Sequence, residues 1–192
     1  MATHGSGEPT ESDARIIERI LAGETALYEQ LVRRYQRLVA SVAYKMGIRD
    51  ADLEDMVSEV LIKAYRNLHR YRPEHAFSTW LYRLTSNRVL DELRARRRGG
   101  RSEPLDERHA DPGPPTDCAV EAADRAQVVA TALGLLPDEY RAPLVLLHME
   151  GRKVSEIAYV LGLPEGTVKT RLARGRERLR QILERRFPEY TA

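Results

Sequence analysis

The chain of 192 residues contains one cysteine, one tryptophan and two phenylalanines. A lone Cys118 cannot close an internal disulfide, so packing has to hold the fold, as suits a reducing compartment. Nothing else in the sequence supports an oxidation-sensing role for Cys118, and a tolerated residue near a linker is the plainer reading. Long apolar runs are also missing: none approaches the roughly 20 residues that cross a bilayer, and the N-terminus has no apolar signal core. A cytoplasmic protein with no membrane insertion of its own is therefore expected. His4, His69, His75, His109 and His148 are scattered and form no H-x-x-x-H or C-x-x-C pattern, so no metal site is expected. No glycine-rich loop follows a strand pattern, which argues against a nucleotide cofactor. The chain reads as a non-enzyme without cofactors.

What the chain does have is charge, and the charge is segregated. Hydrophobic residues are 42% and charged residues 31%, a balance that suits a globular protein. The net charge of +2 averages over blocks of opposite sign. Asp50, Asp52, Glu54, Asp55 and Glu59 stand in a stretch with no basic residue. From Arg83 to Arg101 seven arginines face only Asp91 and Glu92, a net of +5. From Ser102 to Asp124 the net is −6, and from Gly166 to Arg186 it is +6. Two separate basic helices fit two contacts with phosphate backbones, although a solvated helix face explains either run taken alone.

Periodicity is helical throughout. Leu27, Leu31, Tyr35, Leu38 and Val42 form one amphipathic stripe, and Leu53, Met56, Val57, Val60, Leu61, Ala64 and Leu68 form a second. Gly47, free to take positive φ, is placed to end the helix between them. A third helix is predicted from near Ser78, whose hydroxyl is positioned as a cap, and it carries Trp80, Leu81, Leu84, Leu90 and Leu93. No strand alternation appears, so the fold class is all-α. Between Gly99 and Asp117 stand three glycines and four prolines with acids among them, the composition of a flexible acidic linker. The expected organisation is a disordered tail over residues 1–12, a helical domain over 13–98, a linker over 99–118 and a second helical domain over 119–186.

The strongest local signal lies in the second domain. Val154, Ile157, Ala158 and Leu161 form the inner face of a short helix, with Ala158 small enough for a close helix crossing. Gly162 supplies a turn, Leu163 plugs the junction, and Pro164 with Glu165 suits the opening of another helix. In that helix Val168, Leu172 and Leu179 point inward, leaving Lys169, Thr170, Ala173, Arg174 and Arg176 outward. A helix-turn-helix inserts such a face in the major groove, where Lys and Arg bond guanine edges and small apolar groups meet thymine methyls. The same string also resembles the output domains of two-component response regulators, so the N-terminal half has to decide. A response regulator requires an α/β receiver domain, and no strand pattern precedes Gly99. A helical adaptor binding only protein is a further alternative, which the two basic helices oppose.

Three segments together resemble extracytoplasmic-function sigma factors of the sigma-70 family. These are Asp55–Leu68 (DMVSEVLIKAYRNL), Phe77–Leu93 (FSTWLYRLTSNRVLDEL) followed by Arg94, Arg96, Arg97 and Arg98, and Leu136–Arg141 (LPDEYR) ahead of the helix-turn-helix. The resemblance runs over roughly residues 13–185, with the motifs in the family's order. It implies binding to RNA polymerase core, through the beta-prime and beta subunits, and to promoter DNA. Residues 13–98 would then be sigma region 2 and residues 119–186 sigma region 4.

The resemblance also implies residue roles. Asp55, Met56, Glu59 and Val60 match the segment that docks on polymerase, where two acids four apart beside an apolar ridge suit a basic partner helix. Lys63, Trp80, Arg83, Asn87, Arg88, Arg94 and Arg96 match the region that reads and melts the minus-ten element. Asn87 matches the position near a flipped base, its amide able both to donate and to accept. Trp80 has a buried alternative, because it lies on the apolar stripe. Lys169, Thr170, Arg171, Ala173, Arg174 and Arg176 match the minus-thirty-five reading helix. Glu103, Asp106, Glu107, Asp111 and Asp117 would mimic nucleic acid in the polymerase cleft, or serve only as a soluble spacer. An anti-sigma factor covering the polymerase-docking face is a further implied partner.

Overall fold

The computed structural model describes residues 11–98 and 117–190, and every regular element in them is helical. Most of the tail expected over residues 1–12 and most of the linker, with Glu103, Asp106, Glu107 and Asp111, lie outside the described residues, as do the side chains of Asp117 and Cys118. The first half contains α1 (Asp13–Leu21), α2 (Tyr28–Lys45), α3 (Asp50–Arg66) and α4 (Phe77–Arg98). The second contains α5 (Asp117–Gly134), α6 (Asp138–Leu144), a π-helical turn (Val145–Met149), α7 (Val154–Leu161) and α8 (Glu165–Arg186).

In the first half α1 is capped by the Ser12 hydroxyl, which accepts from the Arg15 N–H at 3.4 Å. The two amphipathic stripes meet where α2 packs on α3, and α4 closes the bundle against both. Phe77 and Trp80 seat α4 in an aromatic cluster with Tyr35 and Tyr71, with ring centroids 5.3–5.8 Å apart. That cluster also sets where the helix begins, and here the structure corrects the sequence reading. The Thr79 and Trp80 N–H groups donate to the Ala76 carbonyl at 2.9 and 3.2 Å, so Ser78 lies inside the first turn and does not cap it.

In the second half the helix-turn-helix forms as its residues dictate. The Glu156 carboxylate accepts from the Lys153 N–H at 2.9 Å at the start of α7, and Gly162 leaves it in the left-handed region at φ 64°. Ile157 and Val160 bury one face of α7, and Val168, Leu172 and Gly175 bury one face of α8. At Gly175 α8 crosses α6 closely: a Cβ there would lie 3.0 Å from Leu144 Cδ1 and 3.3 Å from Tyr140 Cβ.

The two halves are packed on each other. One continuous apolar core joins Val39, Val42, Met46, Val60, Tyr82 and Val89 to Leu136, Leu146, Ile157 and Val160, chiefly through α4 against α7. Its polar centre is Arg141, which is 7% exposed. Nη1 donates to the Met46 carbonyl at 3.1 Å, and Nη2 donates to the Leu136 carbonyl at 3.1 Å and to Asp138 Oδ1 at 2.8 Å. Met46 ends α2, so its carbonyl lacks a partner within the helix and gains a cation there. Gly47 makes the approach possible, since its φ is +109° and a Cβ would stand 2.5 Å from Arg141 Nη1.

Replacing Gly175 by Leu is expected to lower stability by about 1–3 kcal/mol through overpacking between α6 and α8. The shift of the urea midpoint at unchanged m-value measures it.

Candidate nucleic-acid interface

The inner face of α8 fixes what its outer face presents. With Val168 and Leu172 buried, the helical period turns Lys169, Thr170, Ala173, Arg174 and Arg176 outward, and all five are exposed. The Thr170 hydroxyl donates to the Gly166 carbonyl at 2.9 Å. Arg176 Nε donates to His148 Nε2 at 3.4 Å, which requires that nitrogen to be unprotonated. Arg171 stands apart from this set. It is half-buried in a groove with Leu90, Arg94, Arg97, Asp138 and Glu139, pointing back toward the first half.

On α4 the residues expected to contact the minus-ten strand divide into three groups. Asn87 is exposed on the outer face. Arg83 and Arg94 are exposed beside the second half: the Arg83 guanidinium lies 4.9 Å over the Tyr159 ring, and Arg94 lines the same groove as Arg171. Arg88 and Arg96 are only partly exposed and ion-paired. Arg88 reaches Glu59 at 2.6 Å and Glu92 at 3.0 Å, and Arg96 reaches Asp52 at 2.7 Å and Glu92 at 3.1 Å. These pairs hold the Glu92 carboxyl below its ordinary range, chiefly through the Arg96 hydrogen bond, and raise the proton affinity of Arg88 chiefly through Glu59. Trp80 is 7% exposed inside the aromatic cluster, so the buried alternative describes its position. Lys63 is exposed on α3.

The α3 face needs one correction. Asp55 and Glu59 are exposed as expected, but Met56 and Val60 are 3% and 0% exposed and form no surface ridge. They are the side of α3 that packs on α2 and α4. The exposed apolar residue that continues the Asp55–Glu59 row is Ile62, at 51% exposure, with Tyr65 exposed one turn on from Leu61. Spacing i, i+4, i+7 from Asp55 was the available signal for Ile62. The structure thus brings the acidic row of α3 and the basic row of α4 side by side, while the α8 face stands on the other half. Sequence reasoning missed the polar contacts between halves. Arg97 meets Asp138 at 2.8 Å, Lys45 meets Glu150 at 2.7 Å, and the Tyr82 hydroxyl donates to Glu150 at 2.7 Å. Among the described residues no group of His, Cys, Asp and Glu is arranged to hold a metal ion, and no helix is long and apolar enough to cross a membrane.

Comparison with known proteins places these features in a family. The model described as Sigma-70 region 2 matches residues 31–99, and that described as Sigma-70, region 4 matches residues 126–179. The ECF RNA polymerase sigma factor SigM of Mycobacterium tuberculosis is 32% identical over 183 residues, covering 92% of this chain and 87% of that protein. The ECF RNA polymerase sigma-E factor of Escherichia coli K12 is 32% identical over 175 residues, covering 86% and 91%. Among solved structures, CnrH in complex with the cytosolic domain of CnrY aligns with a TM-score of 0.67 at 25% identity, over 92% of this chain and 99% of that one. The sigma factor RpoE, solved with the anti-sigma factor NepR from Bartonella quintana, aligns at 0.62 and 22% identity over 82% and 96%, a likeness of fold.

The Glu92 pairs generate a pH dependence of defined sign. A carboxyl whose folded pKa lies below its ordinary 4.5 stabilises the fold above that value and loses the contribution as pH falls through the folded pKa. Glu92→Gln is therefore expected to cost about 0.5–1 kcal/mol at pH 7, a small value because the pairs are partly solvated, and clearly less near pH 2, as the carboxyl protonates in the folded state as well. Urea denaturation of both proteins at the two pH values checks this.

Proposed function

The chain belongs to the extracytoplasmic-function sigma factors of the sigma-70 family, and from that premise we propose how its surfaces divide the work of promoter recognition. As a sigma factor it binds RNA polymerase core and promoter DNA and directs initiation at particular promoters. The helix-turn-helix regulator acting without polymerase is not favoured, because the relatives match both halves of the chain. In the proposed division residues 13–98 act as region 2, residues 119–186 as region 4, and residues 99–118 connect them. The chain acts in the cytoplasm and has no chemistry of its own, since the polymerase makes the phosphodiester bonds.

The observation that carries the reading is the outer face of α8. Lys169, Thr170, Ala173, Arg174 and Arg176 are exposed on a helix whose other face is locked in the core, the geometry a major-groove reader needs. Arg171 serves as a supporting contact at the edge of this face, because its side chain turns toward α6. On α4, Asn87 is free to bond the edge of an unstacked base. Arg83 takes strand phosphates, together with Arg88, Arg94 and Arg96 once their carboxylates are displaced, and Lys63 approaches the same strand. Trp80 supports this face from within. Polymerase docks on the exposed row Asp55, Glu59 and Ile62, which Met56 and Val60 hold in place from beneath. The acidic connector residues Glu103, Asp106, Glu107, Asp111 and Asp117 enter the polymerase cleft. An anti-sigma factor competing for the α3 face completes the partner set, and CnrH was solved bound to a second protein.

Arg174→Ala is expected to relax base preference in the upstream promoter element, with a loss of about 1–3 kcal/mol at the contacted position. Transcription from a randomised upstream element gives the readout, and unchanged selection would contradict the assigned face. Asn87→Ala is expected to leave core binding intact and to weaken permanganate reactivity of unpaired thymines. Asp55→Lys is expected to weaken retention on polymerase core in a pull-down. Asp55 is the better probe than Glu59, because Glu59 is already paired with Arg88.

A further inference from the structure

Resting on the reading above, we infer that His148 is a positioning residue for promoter binding: it aims Arg176 of α8 at a phosphate of the upstream element without cancelling its charge. No sequence motif singles His148 out, and its role comes from where α6 leaves the chain. Gly175 lets α6 lie against α8, with Tyr140 and Leu144 at the contact. The π-helical turn Val145–Met149 continues the same path, burying Val145 and Leu146 and leaving His148 exposed about one turn beyond Leu144. Arg176 follows Gly175 and is exposed as well. The two side chains meet there, and Arg176 Nε donates to His148 Nε2 at 3.4 Å.

Position along α8 decides what Arg176 can touch. In a helix-turn-helix the first residues of the reading helix reach base edges. Arg176 stands eleven residues after Glu165, where α8 begins, which at 1.5 Å per residue is about 17 Å along the axis. The major groove is only about 12 Å wide. With the N-terminal end of α8 on the bases, Arg176 therefore lies at the groove wall, where the phosphates stand. The chemistry of its partner then matters. Arg180, one turn on, is held by Glu177 at 2.9 Å and Glu184 at 2.6 Å, whose charges offset its own. His148 instead accepts as a neutral imidazole, with its ring proton on the other nitrogen. It engages only Nε, so the guanidinium keeps its full charge and both terminal nitrogens, the fork that a phosphate takes from arginine. Holding a long side chain in place beforehand also reduces the entropy lost on contact.

A double-mutant cycle on the full chain, assembled with core polymerase, tests this role. The measurement is affinity for a promoter fragment across a potassium chloride series. Arg176→Ala should lower the magnitude of the log–log salt slope by about 0.9, as the loss of one phosphate contact does. His148→Leu keeps the bulk of the side chain but has no acceptor. It should weaken binding about three- to tenfold, the range set by the net contribution of one hydrogen bond. His148→Gln supplies an acceptor oxygen and should bind within about twofold of the wild type. In the Arg176→Ala background His148→Leu should change nothing further, because the group it positions is gone. A merely structural role would give equal losses in both backgrounds, and that result overturns the inference. An unchanged slope for Arg176→Ala, wild-type binding by His148→Leu, or a His148→Gln variant as weak as His148→Leu overturns it too. Promoter-dependent transcription by the wild-type chain with core polymerase separates the two readings. If it occurs while the cycle shows no coupling, only the positioning role fails; if it does not occur, the sigma-factor reading fails and the positioning role with it.

Discussion

A buried guanidinium needs acceptors, and the two terminal nitrogens of Arg141 find three of them where the two halves meet, while its buried Nε has none. One acceptor is the orphan carbonyl at the end of α2, another is the Leu136 carbonyl, and the third is Asp138. Burial lowers the proton affinity of Arg141 and Asp138 opposes that effect, so the cation persists inside the interface. Gly47 is a dependent of this arrangement, because any side chain there would occupy the place of Nη1. So is the course of the chain from Leu136 to Leu144, where Tyr140 and Leu144 then meet α8 at Gly175. The orientation of the helix-turn-helix relative to α4 rests on this hydrogen-bonded cation and the apolar surface around it, together with the Arg97–Asp138 and Lys45–Glu150 pairs.

Charge is distributed by the same logic of paired surfaces. The acids of α3 and the arginines of α4 look in sequence like independent blocks, but Arg88 joins Glu59 and Arg96 joins Asp52 across the helix boundary. These pairs are solvated enough that each contributes little to stability. Their effect is to hold the acidic face of α3 and the basic face of α4 in a mutually neutralised state. Asp55 and Asn87 lie outside those pairs and are exposed, while the Arg83 guanidinium lies over the Tyr159 ring.

The sequence by itself determined the all-helical class, the boundaries set by Gly47 and Gly162, the inward stripes of α2 and α8, and the outward face of α8. These are consequences of local physics, since a 3.6-residue period and a positive φ act over one or two turns. It also carried the family motifs. What it did not contain was the choice among faces of a helix apolar or charged on more than one side. Met56 and Val60 went to the core and Ile62 to the surface because of where α2 and α4 pack. Trp80 was buried by Phe77 and Tyr71, Arg171 turned inward by α6, and Arg88 and Arg96 engaged by acids about 30 to 45 residues away. The contact between the halves was the least legible feature of all. Arg141 bonds a carbonyl 95 residues earlier, and Glu150 pairs with a lysine 105 residues earlier. No periodicity reports partners at such separations, because they are selected by desolvation and shape when the folded halves meet, and that only the tertiary structure decides.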